Sequence, residues 1–209
     1  MDLFSRTVTM VGPPADIMAY ATDMTAFVSD AVGQEVALWQ MGFGAPAGTV
    51  GWTARVEGLA GVSTMQATLM ANADYHTKLA AGRDFLAGPA TDALGTVIHG
   101  ELGDPPPVGS VAAITSAVIG NGKYAEAVAW GIDMTDHATS VTGTPTMFLM
   151  QRFGTFGAVT WVGISADAAA ADAAGAKLEA DPAYVEKLGA VGDLFVPSSG
   201  NRAVATRVA

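Results

Sequence analysis

The chain has 209 residues, half of them hydrophobic and only 14% charged, with 20 acidic residues against 10 basic ones and no cysteine. That length suits one large domain or two small ones. A formal charge of −10 with no cluster of Lys or Arg argues against electrostatic capture of nucleic acid or anionic lipid, and the absence of cysteine excludes disulfides, thiol catalysis and Cys-ligated metal centres.

The opening stretch, through Ser5 and Arg6, lacks a charged start followed by an apolar core, so no signal peptide is expected. No apolar run reaches the roughly 18 residues of a membrane-spanning helix. The expectation is a cytoplasmic protein without membrane insertion.

In chain order, residues 7–11 are rich in β-branched side chains and read as a strand that stops at Gly12-Pro13-Pro14. Ile17, Tyr20, Met24, Phe27, Val28 and Ala31 recur at helical steps, with Asp16 near the start and Gly33 placed to end the helix. Residues 36–43 read as a second strand, with Trp39, Met41 and Phe43 on one face and Val36, Leu38 and Gln40 on the other. Both faces are mostly apolar, so cover on both sides is expected. A Gly- and Pro-bearing loop leads to a third strand at 50–56, with Trp52 and Arg55 on opposite faces.

A helix begins near Val62 and restarts at Asn72 or Asp74, running through Tyr75 and Leu79 to Phe85 before Gly88-Pro89. Residues 94–99 close the first unit, giving β-α-β-β-α-β, the ferredoxin-like order. Residues 103–109 hold three successive prolines and form a stiff linker.

The order then repeats. A strand at 111–119 precedes a helix at 124–141 and a hairpin of 146–153 with 158–164. Ser165 is expected to cap an Ala-rich helix that runs to Ala180. Asp181-Pro182 starts a last helix, and 203–208 is the closing strand.

Specific residues echo this order. Asp23-Met24-Thr25 recurs as Asp133-Met134-Thr135, 110 residues on, and Gly33 answers to Gly143 at the same interval. After the loss of one residue the interval is 109, pairing Trp52 with Trp161, Tyr75 with Tyr184, and Lys78-Leu79 with Lys187-Leu188. We read this as an internal duplication, with units at 1–102 and 110–209 joined by the linker 103–109. One such sheet has helices on one face and a bare second face, and two sheets set face to face cover both bare faces.

A tandem pair of these units resembles the dimeric α+β barrel superfamily, in which two ferredoxin-like units set their sheets back to back. The split second helix, with Asp74 before Tyr75 and Asp181-Pro182 before Tyr184, is similar to that group. The resemblance implies an α+β fold of two fused βαββαβ units. Its members include cofactor-independent monooxygenases, isomerases, cyclases, haem enzymes, effector-binding modules and NIPSNAP-like proteins.

Candidate chemistry is sparse. His76 beside Tyr75 and near Asp74 offers a general base, or is a surface histidine at a helix start. His99 meets a ligand if it points into the barrel, or is a strand-end histidine open to water. Arg55 inside the barrel clamps a carboxylate, and outside it is an edge cation. Arg152 carries the same two readings. Trp39 and Trp52 line an aromatic ligand pocket or are core.

No two histidines have metal-binding spacing. The second unit's only histidine, His137, is on the wrong element to be a haem's axial ligand. No metal or cofactor is therefore expected.

Three functions fit: a cofactor-independent enzyme on a small apolar or aromatic molecule with Tyr75, His76, Arg55 or His99 as its polar groups, a non-catalytic ligand-binding module, or an assembly subunit. A homo-oligomer is expected.

Overall fold

The computed structural model describes residues 1–209. The first half runs β1 (Asp2–Thr9), α1 (Pro14–Val32), β2 (Val36–Met41), β3 (Thr49–Val56), α2 (Gly58–Met70), α3 (Ala73–Ala81) and β4 (Thr91–His99). The second runs β5 (Val111–Val118), α4 (Tyr124–Thr142), β6 (Thr146–Phe153), β7 (Ala158–Ser165), α5 (Ala168–Ala180), α6 (Pro182–Gly189) and β8 (Asn201–Arg207). The strands close into one barrel in the order β1-β3-β2-β8-β5-β7-β6-β4, with every pairing antiparallel. The α+β architecture of two fused ferredoxin-like units is what the chain forms. No helix is long and apolar enough to cross a membrane.

Helix ends follow local chemistry. Pro14 opens α1, where its missing N–H costs nothing. Gly33 closes α1 at φ 66° and Gly143 closes α4 at φ 73°, left-handed conformations that suit glycine. The Asn72 side chain accepts hydrogen bonds from the backbone of Asp74 and Tyr75 at the start of α3, and Asp181 accepts from Tyr184 at the start of α6.

Three expectations are corrected. The first strand covers Asp2–Thr9 rather than 7–11, because Leu3 to Arg6 pair with both β3 and β4. Phe43 lies beyond the end of β2 and is 84% exposed, so it does not share the burial of Trp39. Ser165 is the last residue of β7, and Asp167 caps α5 by accepting from the Ala170 N–H.

Alternation along each strand separates two faces. Phe4, Ala54, Val56 and Leu94 face outward and pack with Met24, Val62, Met65 and Leu69 beneath the helices. Facing inward, Ala37, Trp39, Ala112 and Ala205 form a cluster in which β2 and β8 of opposite halves meet. Trp39 is 8% exposed, and its burial contributes about 1.5–3 kcal/mol. Its indole N–H donates to Thr53 Oγ1 (2.9 Å), which removes the cost of hiding it.

The segment between β4 and β5 crosses one end of the barrel. Arg207 donates to the Pro106 carbonyl and pairs with Glu35, and Arg55 donates to the carbonyls of Leu102 (2.9 Å) and Gly103. Two arginines thereby hold the prolines across the opening.

Candidate functional site

Two cavities stand out, on opposite faces of the first half's sheet. The larger, about 750 Å³, is the barrel lumen. Small inward residues leave it hollow: Ala37, Gly51, Ala93, Gly95, Ala112 and Ala205 sit where a filled barrel would carry bulk. Its wall is divided. Strands β1, β3 and β4 contribute Ser5, Thr7, Thr9, Thr49, Thr53 and Thr91, while β5, β6 and β7 contribute mainly Ile114, Met147, Leu149, Val162 and Ile164.

The smaller cavity, about 380 Å³, lies between the outer face of the same sheet and helices α1, α2 and α3. Met10, Met24, Met65, Met70, Leu69 and Trp52 make it apolar, and Arg6, Tyr20 and Tyr75 bring polar groups into it. Arg6 alternates with Phe4 and Val8 on the outward face of β1, so the strand period delivers a cation to an otherwise apolar surface. Asp92 on β4 is directly opposite in register and forms a two-point ion pair with Arg6, at 2.7 Å for both bonds.

Hydrogen bonding to Asp92 holds the guanidinium above its ordinary pKa despite burial, and Tyr75 adds to this. Burial raises the Tyr20 hydroxyl, with Tyr75 and Asp23 adding to the shift. The Trp52 indole N–H donates to Thr25 Oγ1 (2.8 Å), fixing one wall of the pocket.

In the second half the matching positions carry aromatic rings packed on one another. Tyr20, Leu38 and Leu86 are matched by Trp130, Phe148 and Phe195. These pack on Trp161 with ring centroids 4.9–5.8 Å apart and occupy the space. The Arg6–Asp92 pair is matched by Thr115 and Arg202, so the ion pair is lost as well. A haem, the group carried by some members of the superfamily, does not fit there: the aromatic rings fill the site, and His137 is tied to Asp181 (2.9 Å).

The sequence candidates are scattered over the fold. Tyr75 is 7% exposed and lines the smaller pocket. Trp52 borders both cavities. His76 is exposed on α3, its Nε2 meeting the Met70 carbonyl (2.9 Å) and its ring edge-on to Tyr75. His99 turns away from the lumen to Asp136 on α4 (2.6 Å). Arg55 and Trp39 line the lumen, and Arg152 faces outward to Asp2 (2.6 Å).

Arg6 and Asp92 escape the sequence reading because it starts the first strand at residue 7 and the closing strand at residue 94, whereas β1 starts at Asp2 and β4 at Thr91. The alternation Phe4, Arg6, Val8, Met10 was the available signal.

No family model matches the chain, and neither does any curated protein. Solved structures do. A candidate monooxygenase from Fusobacterium nucleatum aligns with TM-score 0.68 at 10% identity, over 100% of this chain and 92% of that one. An anthrone oxidase-like protein aligns at 0.66 and 13%, over 100% and 92%. A major regulator of staphylococcal pathogenesis aligns at 0.61 and 9%, over 100% of both. At such identities the likeness speaks for the fold. Together with the closed barrel of two βαββαβ halves, it gives this chain the fold of the dimeric α+β barrel superfamily.

Proposed function

We propose that the smaller pocket is the active site of a cofactor-independent oxygenase acting on a flat, electron-rich aromatic molecule such as an anthrone. The observation that carries this reading is the Arg6–Asp92 pair with Tyr75 opening into an apolar pocket of the first half, where the second half carries neither the ion pair nor the tyrosine–leucine lining. A volume near 380 Å³ falls in the range that holds a small ring system. The four methionines supply a polarisable wall that adapts to a planar ring.

The chemistry needs no redox group from the protein, because the substrate supplies the electrons. An anthrone methylene loses a proton to a solvent base, its acidity raised by the Arg6 charge beside the forming oxyanion, to give an aromatic enolate. The enolate passes one electron to dioxygen, the two radicals join as a peroxide anion that takes up a proton to become the hydroperoxide, and loss of water leaves a carbonyl. The net change converts CH2 and O2 into C=O and H2O.

Arg6, kept protonated by Asp92, stabilises the enolate oxygen. Tyr75 donates a hydrogen bond to the same oxygen or a proton to the departing hydroxide. The apolar wall excludes water from the radical pair. Neither His76 nor His99 is needed.

Oxygen uptake with anthrone, followed in an electrode cell, tests this. The wild-type protein consumes dioxygen and forms the quinone in equal amounts. Tyr75→Phe and Arg6→Met each lower kcat/KM by roughly 10²-fold, the lower end for a lost general acid or a lost charge donor. Uptake no faster than buffer, or unchanged in both folded variants, overturns the proposal. Binding of anthrone without uptake would instead mark a ligand-binding module.

A further inference from the structure

We propose that the barrel lumen is a second binding site, for an organic anion with a rigid apolar body whose charge docks on Arg55. This site lies on the opposite face of the sheet from the pocket above and does not depend on its chemistry.

Three observations converge. The first is space: about 750 Å³ enclosed by side chains from both halves, within the range of small-molecule sites. The second is charge. Arg55 and Glu35 are the charged residues lining the lumen, and Glu35 is paired with Arg207. Arg55 makes no ion pair. Its partners are the neutral carbonyls of Leu102 and Gly103, so an arriving anion meets an unneutralised guanidinium and displaces no carboxylate.

The third is the division of the wall. Ile114, Met147, Leu149, Val162 and Ile164 offer an apolar surface for ring stacking. Several polar groups in the lining, among them Ser5, Ser116, Gln151 and Thr160, make no side-chain hydrogen bond within the protein. Each remains able to bond a guest's oxygen atoms.

Fluorescent titration with 1-anilinonaphthalene-8-sulfonate, set against the neutral N-phenyl-1-naphthylamine, tests this. The two probes share an apolar body and differ by the sulfonate. Wild-type protein binds the sulfonate more tightly than its neutral counterpart. Arg55→Met weakens the sulfonate about tenfold, the loss of one charge-assisted contact, and leaves the neutral probe within about twofold. Arg55→Lys retains most of the preference.

Methionine methyl spectra locate the probe: Met41 and Met147 line the lumen and their signals move. This readout works in the unmutated protein, so it stands even if Arg55→Met fails to fold. Unchanged sulfonate affinity in a folded Arg55→Met, or shifts confined to Met24 and Met65, overturns the proposal.

Discussion

Asp2 is 5% exposed and accepts hydrogen bonds from Arg152 (2.6 Å) and Thr96 (2.9 Å), which ties the start of the chain to β6 in the other half. Burial on its own would raise this carboxyl. The bonds from Arg152 and Thr96 and the Arg152 charge outweigh burial and hold it below the ordinary value of 3.8. A depressed carboxylate contributes stability above its unfolded pKa and loses it as pH falls through the folded value. Asp2→Asn should therefore destabilise the protein at pH 7 by about 1–2 kcal/mol, discounted because Arg152 is partly in water. In urea unfolding the gap between Asp2→Asn and wild type should close as pH falls below 3.8. A gap that stays constant with pH would show that lost packing, not charge, is responsible. Lys78–Asp23 and Lys187–Asp133 are a matched ion-pair set at the helix surface, and exposed pairs of this kind contribute little.

At the scale of elements, Gly131 separates the two halves' fates. It lies within α4, buried, and a Cβ there would be 2.5 Å from the Phe148 ring. The matching residue of α1 is Ala21, which faces Leu38 instead of a ring. Glycine in a helix interior ordinarily costs about 0.5–1 kcal/mol against alanine. Gly131→Ala should reverse that sign and destabilise by about 1–3 kcal/mol, the range for overpacking. A melting temperature that rises in Gly131→Ala would contradict the account of aromatic packing in the second half.

Most elements were legible in the sequence, because the helix faces, glycine stops and Asp181-Pro182 start are local signals. The ends of β1 were not, since Leu3 to Arg6 become strand only through long-range pairing with β3 and β4. Phe43 misled for a related reason: alternation says which face a residue would take but not where the strand stops. Tyr75 was found from its place after a helix cap. For Arg6 the alternation with Phe4, Val8 and Met10 gives the face, but its pairing with Asp92, 86 residues along the chain, shows only in the folded sheet. The apolar faces of β2 and β6 suggest a mainly apolar lumen. Its hydroxyl wall comes from β1, β3 and β4, whose polar inward residues draw notice only once the barrel is closed.

For the molecule as a whole, two halves of the same βαββαβ order are built to different ends. Each sheet hides the other's bare face, and Trp39 with Ala112 and Ala205 shows where they meet. Around that shared seam the halves differ: one keeps an open pocket with an ion pair, and the other fills the same space with aromatic rings.

Methionine methyl resonances can read this difference in a single spectrum. Met10, Met24, Met65 and Met70 border the first-half pocket, Met41 and Met147 the lumen, and Met134 is buried under the second half's helices. Titrating [ε-13C]methionine-labelled protein with anthrone should shift Met10, Met24, Met65 and Met70 and leave Met134 in place. Shifts at Met134 with none at Met24 and Met65 would contradict the account.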